Sequence, residues 1–170
     1  MNVPMLILLV VFLIALSAFF SSTEIAFAQA SKPRIKSLAE DGDKKAAKAQ
    51  SIIDDYVHAI STILVGNDLV NIAATSVVTL LCTGYFFKDN ASAELIASGI
   101  ATLLLLIFGE IFPKLLAADH ANSLTLSGAG LLRFFMKLFK PVVAVVSGLV
   151  KFLSPLWTPK EEIQDIIQFV

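Results

Sequence analysis

The chain has 170 residues, of which 56% are hydrophobic and 16% charged, and its mean hydropathy is +0.80. A soluble domain of this size is about half apolar and about a quarter charged, so the composition excludes an ordinary soluble domain. The net charge of −1 says little about partners, and the basic residues follow the membrane topology, so nucleic-acid binding has no support. The apolar residues are gathered in long runs, which predict an integral membrane protein of helices.

The first apolar run predicts a membrane span over about residues 3–28. Residues 1–23 carry no charge, and about 20 mainly apolar residues suffice to cross the hydrocarbon core. No basic residue precedes the run, which argues against a cleaved signal peptide. Within this span Ser17, Ser21 and Glu24 share one helical stripe. The serines alone are also typical of helix–helix contacts, and Glu24 lies near the end of the span.

A polar segment, residues 31–53, follows the first span and contains six of the 13 Lys and Arg residues. We predict one or two short helices here, broken at Gly42. Basic residues mark the cytoplasmic side of a membrane protein. The N-terminus is therefore predicted to lie outside the cell, and this segment and the C-terminus inside.

The second span is predicted over about residues 57–87 and contains the sequence GNDLVN. Asn67, Asp68 and Asn71 fall about 11–15 residues into it, close to the middle of the membrane at 1.5 Å per residue. Packing alone does not require two amides and a carboxylate at that depth. A structural hydrogen-bond network remains the alternative to a binding site. A short turn, FKDNAS, leads to the next span.

The third span, about residues 93–113, ends in the sequence FGEIFPK. Pro113 has no N–H group, so the carbonyl of Gly109, four residues earlier, loses its helical partner. Glycine also leaves space for another group to approach that oxygen. The adjacent Glu110 is an ionisable residue inside a membrane span, which by default marks a functional site.

The last apolar segment, residues 119–156, is predicted to lie in the membrane interface as an amphipathic belt. Burying each of its basic residues in hydrocarbon would cost about 2.5–3.5 kcal/mol, so a fourth span is the less favoured alternative. The basic residues on one helical face are Arg133, Lys137, Lys140 and Lys151. The residues expected to enter the lipid are Phe134, Phe135, Leu138 and Phe139. Residues 157–170 are predicted to begin a cytoplasmic linker.

All three spans thus carry oxygen atoms that can bind a cation. An all-oxygen set of ligands suits a hard cation such as Mg²⁺, Ca²⁺ or Na⁺ rather than zinc or copper. The sequence has no phosphate-binding glycine loop and no zinc-protease motif. No histidine is placed to act as the base of a hydrolytic triad. We therefore expect no enzymatic activity.

In this order and in successive spans, SAFFSSTE, GNDLVN and GEIFPK closely resemble motifs of the CNNM/CorC family of magnesium transport proteins. The resemblance covers essentially the whole chain. It implies an all-α plasma-membrane protein that forms a homodimer, with three spans per subunit and an in-plane helical belt. It also implies a Mg²⁺ site between the spans, open to the cytoplasm, with Mg²⁺ export coupled to inward movement of Na⁺.

The resemblance assigns metal ligands at matching positions, and these are Ser17, Ser21, Asn67, Asn71, Glu110 and a backbone oxygen of Gly109. Other residues of the same motifs, expected beside the metal or along a Na⁺ pathway, are Glu24, Asp68, Pro113 and Lys114. Family members continue into paired CBS domains that bind ATP and Mg²⁺. This chain stops before them, so we expect no ATP binding by these 170 residues.

Two other functions use the same sequence features. A membrane-embedded Mg²⁺ sensor that regulates other transporters would use the same ligands but would need no exit path. A dimerisation anchor would use the polar residues only for hydrogen bonds, with Ala93, Ala97 and Ala101 packing against a second copy. The anchor predicts that metal has no effect on stability.

Overall fold

The computed structural model describes residues 2–86 and 92–153, with side chains described through residue 145 and at residue 148. Within these residues every regular element is a helix, which confirms the all-α class. Three stretches are long and apolar enough to cross a membrane, and these are Val3–Gln29, Tyr56–Phe86 and Ala93–Asp119. We call them the first, second and third span. Which side of the bilayer each terminus faces stays a prediction.

The first span is the single helix α1 (Val3–Gln29), with Pro4 in the first turn, where its missing N–H leaves no helical bond unmade. Leu13, Phe20 and Phe27 are buried in the main core. They are seven residues apart, close to two helical turns, so they form one stripe that faces the rest of the protein. On another side of α1, large apolar side chains such as Leu8, Val11 and Phe12 are exposed, as expected for a surface that faces lipid.

Two short helices follow, α2 (Lys32–Glu40) and α3 (Lys44–Asp54), so the predicted break near Gly42 is confirmed. Gly42 has a φ of 92°, a left-handed conformation that favours glycine. Asp43 caps α3 by accepting two first-turn backbone N–H groups at 2.7 and 3.0 Å. These two donors lower the pKa of the Asp43 carboxyl below its usual value. The Asp43 carboxylate therefore stays charged, and continues to cap α3, at pH values at which an ordinary aspartate begins to be protonated. The stabilisation by this cap is lost as the pH falls through the lowered pKa of Asp43.

The second and third spans each contain a wide-turn π-helix. The helices of these spans are α4 (Tyr56–Leu81), a π-helix (Cys82–Phe86), α5 (Ala93–Leu104), a second π-helix (Leu105–Ile111) and α6 (Phe112–Asp119). The helical stretch of the third span thus continues to Asp119, beyond residue 113, while the point along it where the membrane ends stays a prediction. Pro113 lies in the first turn of α6, where its missing N–H is tolerated.

The last helix, α7 (Ala121–Leu153), continues through Pro141 without ending there. It packs against α1, α3 and α4. Arg133 and Lys137 are exposed, and α7 is not among the helices apolar enough to span the membrane. These observations favour three spans over four.

The aromatic residues of α7 divide between protein and lipid, which corrects part of the sequence-based prediction. Phe134 is 57% exposed, as expected for lipid contact. Phe135 is instead packed against the core, with its ring centroid 4.9 Å from that of Phe20. Phe139 stacks on Phe135 at 5.9 Å. Both rings lie on the side of α7 that carries the buried residues Leu132 and Met136. Through Phe135, this side of α7 packs against α1.

The small residues of α5 are also placed differently from the expected intersubunit contact. Ala93, Ala97 and Ala101 are 6%, 0% and 1% exposed within a single chain. Ala97 and Ala101 belong to a core cluster with Leu6 and Val10 of α1. The spacing therefore marks close packing inside the protomer, and these alanines are not free to pack a second copy as the anchor alternative would require.

Several predicted features lie outside the described residues. They are the turn at 87–91, the end of the belt at 154–156, the linker at 157–170 and the side chain of Lys151.

Candidate metal site between the three spans

Oxygen atoms from all three spans meet at the hydroxyl of Ser17. Its Oγ lies 2.8 Å from Asn71 Oδ1, 3.1 Å from Asn67 Oδ1 and 3.4 Å from the carbonyl oxygen of Gly109. Ser17 is fully buried. Glu110 joins the group because its Oε1 accepts a hydrogen bond of 3.1 Å from Asn71 Nδ2. Five of the six predicted ligand residues are therefore brought together.

Two glycines allow the spans to approach closely enough to form this cluster. A Cβ on Gly66 would lie 2.5 Å from the ring of Phe20, so α1 and α4 touch beside Asn67. A Cβ on Gly109 would lie 2.8 Å from Ser17 Oγ. Both distances are shorter than real Cβ contacts, so a larger residue at either position would force Phe20 or Ser17 to shift.

The cluster contains more hydrogen-bond acceptors than donors. The Ser17 hydroxyl has one hydrogen, yet three acceptor oxygens surround it. The bond from Asn71 Nδ2 to Glu110 fixes the Asn71 amide, so that its Oδ1 faces Ser17. At most one of the three oxygens can receive the hydroxyl proton fully. A small hard cation would satisfy the remaining oxygens, since it prefers oxygen ligands of this kind.

The same atoms also permit a hydrogen-bonded network without an ion. If the Asn67 amide is turned, its Nδ2 donates to Ser17, Ser17 donates to Asn71 and Asn71 donates to Glu110. The Gly109 carbonyl would then be the acceptor left without the serine proton. This alternative predicts that metal does not alter the stability of the protein, whereas a cation site predicts that it does.

The π-helix Leu105–Ile111 carries both Gly109 and Glu110. Its wide turn is shown by the N–H of Phe112, which bonds to the carbonyl of Ile107, five residues earlier. Such segments are rare and occur often at functional sites. We predicted that the Gly109 carbonyl would be released, but not the π-helix itself. The sequence feature that marks this segment is a glycine, Gly109, and a proline, Pro113, four residues apart with Glu110 between them.

Ser21 lies one turn after Ser17 and is fully buried, but it makes no hydrogen bond with any described residue. The structure therefore does not bring Ser21 into the hydrogen-bonded cluster. An unpartnered buried hydroxyl costs about 1–3 kcal/mol, so it is rarely left without a reason. Its position on the Ser17 stripe leaves a lone pair free on the same side of α1. Thr125 of α7 is a second such hydroxyl, which the sequence analysis missed.

Glu24 and Lys114 form an ion pair beside the cluster. Lys114 Nζ lies 3.0 Å from Glu24 Oε2, and both side chains are about one-third exposed. Such a partly exposed pair contributes little to stability. Its contribution is positional, because it ties the end of α1 to α6, close to Glu110 and Pro113.

Asp68 is placed apart from the cluster, although it lies between its two asparagines in sequence. Its side chain is exposed and has no hydrogen-bond or ion-pair partner among residues 2–86 and 92–153. One residue turns a helix by about 100°, which directs Asp68 away from the face that carries Asn67 and Asn71.

The described residues hold no group of three or more His, Cys, Asp or Glu side chains that could bind a metal. A zinc-type centre or a cage of several carboxylates is therefore absent from this part of the chain. The Ser17 cluster differs from both, since it combines amides, a hydroxyl and a carbonyl with the single carboxylate of Glu110.

Comparison with known proteins identifies relatives over nearly the full chain. Residues 8–168 match the family CNNM, described as the Cyclin M transmembrane N-terminal domain. A UPF0053 protein of Haemophilus influenzae is 33% identical over 96% of this chain. The UPF0053 inner membrane protein YfjD of Escherichia coli is 28% identical over 87% of it. A protein of Haemophilus influenzae named polyamine export protein is 28% identical over 81%. The chain covers 39%, 34% and 34% of these relatives, respectively.

Proposed function

Because the chain belongs to the CNNM family of cyclin M transmembrane N-terminal domains, we propose that it forms the membrane part of a Mg²⁺ transporter. The observation that carries this proposal is the meeting of three acceptor oxygens at the Ser17 hydroxyl, with the Glu110 carboxylate one hydrogen bond away. The cargo ion would lie between the spans, with ligands from each.

The groups of the cluster would have different roles in holding Mg²⁺. Asn67 and Gly109 would offer neutral oxygens, and Ser17 a lone pair once its proton turns away. Glu110 would supply the negative charge, which offsets part of the cost of removing a divalent ion from water. Asn71 would act twice, because its Oδ1, which faces Ser17, would bind the ion, while its Nδ2 donates a hydrogen bond that positions Glu110.

We further propose that inward movement of Na⁺ drives outward movement of Mg²⁺, in a plasma membrane with the N-terminus outside. Moving one elementary charge inward across 100 mV yields about 2.3 kcal/mol. Na⁺ also prefers oxygen ligands, so it can occupy the same groups in turn. The support for this orientation is the concentration of basic residues in 31–53.

The test is Mg²⁺ flux in liposomes that contain only the purified full-length protein. With a Na⁺ gradient we expect Mg²⁺ to leave the Na⁺-poor side faster than in protein-free liposomes.

Ser17→Ala should reduce this flux at least about tenfold, because it removes the central ligand oxygen. Ser22→Ala is the matched control, since the Ser22 hydroxyl bonds only to the Phe19 carbonyl of its own helix. Flux that is absent in the parent, with Mg²⁺ binding retained, would favour the sensor.

The name of one relative suggests a polyamine as an alternative cargo. The cluster argues for a compact ion, because its single carboxylate, Glu110, could pair with only one of the several ammonium groups of a polyamine. Adding spermidine to the flux assay separates the two. A Mg²⁺ carrier should be little affected, whereas spermidine transport with no Mg²⁺ transport would support the alternative.

A second copy of the chain is the partner we propose. Asp68 lies about 18 Å along α4 from Tyr56, at 1.5 Å per residue, and its side chain is exposed. A carboxylate facing lipid at that depth is costly, so we infer that a neighbouring subunit covers this side of α4. In a Cys82→Ala background, Asp68→Cys should form a disulfide-linked dimer. Leu8→Cys, on the exposed side of α1, is the control, and equal cross-linking of both variants would contradict this interface.

A further inference from the structure

A groove between α3, the start of α4 and α7 is lined by basic side chains. It consists of two cavities of about 350 and 330 Å³ that share Arg133 and Lys137. Lys140 lines the first cavity and Lys48 the second. We call this surface the basic groove. It is formed by residues different from those of the Ser17 cluster.

Within residues 2–86 and 92–153, little negative charge lies beside the basic groove. Arg133, Lys137 and Lys140 are spaced i, i+4, i+7 and lie along one side of α7. Asp55 is the only acidic residue among the described residues that line the groove, and its Oδ2 lies 3.1 Å from His58 Nδ1. Among the described residues, no carboxylate lies within 4.0 Å of the four basic side chains. The groove is therefore suited to bind an anion.

The residues that flank the groove indicate where this anion comes from. Phe134 lines the same cavity as Lys48 and is 57% exposed, and Leu138 is 54% exposed. Large apolar side chains beside cations on one helix are typical of helices in the membrane interface, where the apolar residues enter the acyl region. The cations then lie at the level of the lipid headgroups.

We propose that the basic groove binds the phosphate headgroup of an anionic phospholipid from the surrounding bilayer. The planar guanidinium of Arg133 can donate two parallel hydrogen bonds to phosphate oxygens. Lys137 and Lys140 line the same cavity and add positive potential that favours an anionic headgroup over a zwitterionic one. A headgroup held in this way links α7 to α3. Basic pockets of this kind beside membrane helices recognise anionic lipids.

The test is native mass spectrometry of the 170-residue protein, released from detergent that contains phosphatidylglycerol or phosphatidylcholine. We expect a bound phosphatidylglycerol at concentrations at which phosphatidylcholine does not bind. The variant Arg133→Gln/Lys137→Gln/Lys140→Gln should bind phosphatidylglycerol at least about tenfold more weakly. Lys36→Gln/Lys44→Gln/Lys45→Gln is the matched control. It removes the same charge from exposed positions outside the groove and should leave the affinity within about twofold.

A third arm distinguishes a lipid from a soluble anion. Inorganic phosphate at millimolar concentration should not displace the bound phosphatidylglycerol, because it lacks the acyl chains that lie beside Phe134 and Leu138. Displacement by phosphate would show a site for a free anion and would overturn the proposal. Equal binding of phosphatidylcholine, or an equal loss of affinity in the control variant, would also overturn it. Circular dichroism of both variants shows whether either has lost its helices.

Discussion

Replacing Glu110 with glutamine should abolish the thermal stabilisation that Mg²⁺ gives to the protein. Glu110 is the only carboxylate of the Ser17 cluster, so Glu110→Gln keeps the shape and the hydrogen bond to Asn71 while removing the charge. A ligand at about 100 times its dissociation constant stabilises the folded state by about 2.7 kcal/mol. For a chain of this length, that raises the melting temperature by about 5–10 °C. The measurement is thermal unfolding in detergent with and without Mg²⁺.

The control for this experiment is another glutamate of the third span. Glu94 lies in the first turn of α5 and is exposed, so Glu94→Gln should keep the full response to Mg²⁺. The melting temperature of Glu110→Gln should change by less than about 1 °C on addition of Mg²⁺. If Mg²⁺ stabilises Glu110→Gln as much as the parent, the assignment of Glu110 is wrong. If Mg²⁺ does not raise the melting temperature of the unsubstituted protein either, the cluster is a hydrogen-bonded network and not a metal site.

The second large effect is expected at the contact between α1 and α4. In Gly66→Ala the new Cβ would lie 2.5, 2.7 and 2.9 Å from three ring atoms of Phe20. Phe20 cannot move aside easily, because it is fully buried and its ring packs against Phe19 and Phe135. Overpacking of this kind costs about 1–3 kcal/mol. We expect a lower melting temperature and, because Asn67 is the next residue, a weaker response to Mg²⁺.

Gly99→Ala provides the comparison for this substitution. A Cβ at Gly99 of α5 meets no atom within 4 Å, and alanine favours a helix over glycine by about 0.5–1 kcal/mol. Gly99→Ala should therefore be as stable as the parent or more stable. Equal melting temperatures for Gly66→Ala and Gly99→Ala would show that α1 and α4 are not in the close contact described.

Much of the fold could be predicted from the sequence because its determinants are local. Apolar runs of membrane length predicted the three spans, and Gly42 predicted the break between α2 and α3. It was harder to predict which side of α7 packs against the protein. Helical periodicity shows which residues share a side of the helix, but it does not show whether that side contacts protein or lipid. Phe135 and Phe139 were therefore expected in lipid, although both pack against the core. For the same reason the spacing of the α5 alanines was compatible with a contact between subunits, whereas they pack inside the protomer.

The sequence predicted which residues form the Ser17 cluster better than it predicted how they are arranged. The spacing of Ser17, Asn67, Asn71 and Glu110 placed oxygens within each span, and the family resemblance joined them. The π-helix escaped prediction because its hydrogen bonds span only one residue more than those of an α-helix, a difference that hydrophobic periodicity does not show. The exposure of Asp68 and the isolation of Ser21 also depend on how the helices are rotated, which no single span specifies.

The central claim is that oxygens from three spans bind one Mg²⁺ ion, and an experimental structure with Mn²⁺ in place of Mg²⁺ tests it most directly. Mn²⁺ prefers the same oxygen ligands and can be located by its anomalous scattering. We predict one peak between Ser17, Asn71 and Glu110, at about 2.1 Å from its ligand oxygens. A structure at saturating Mn²⁺ with no peak in this cluster, and with Ser17 still hydrogen-bonded to both asparagines, would contradict the account.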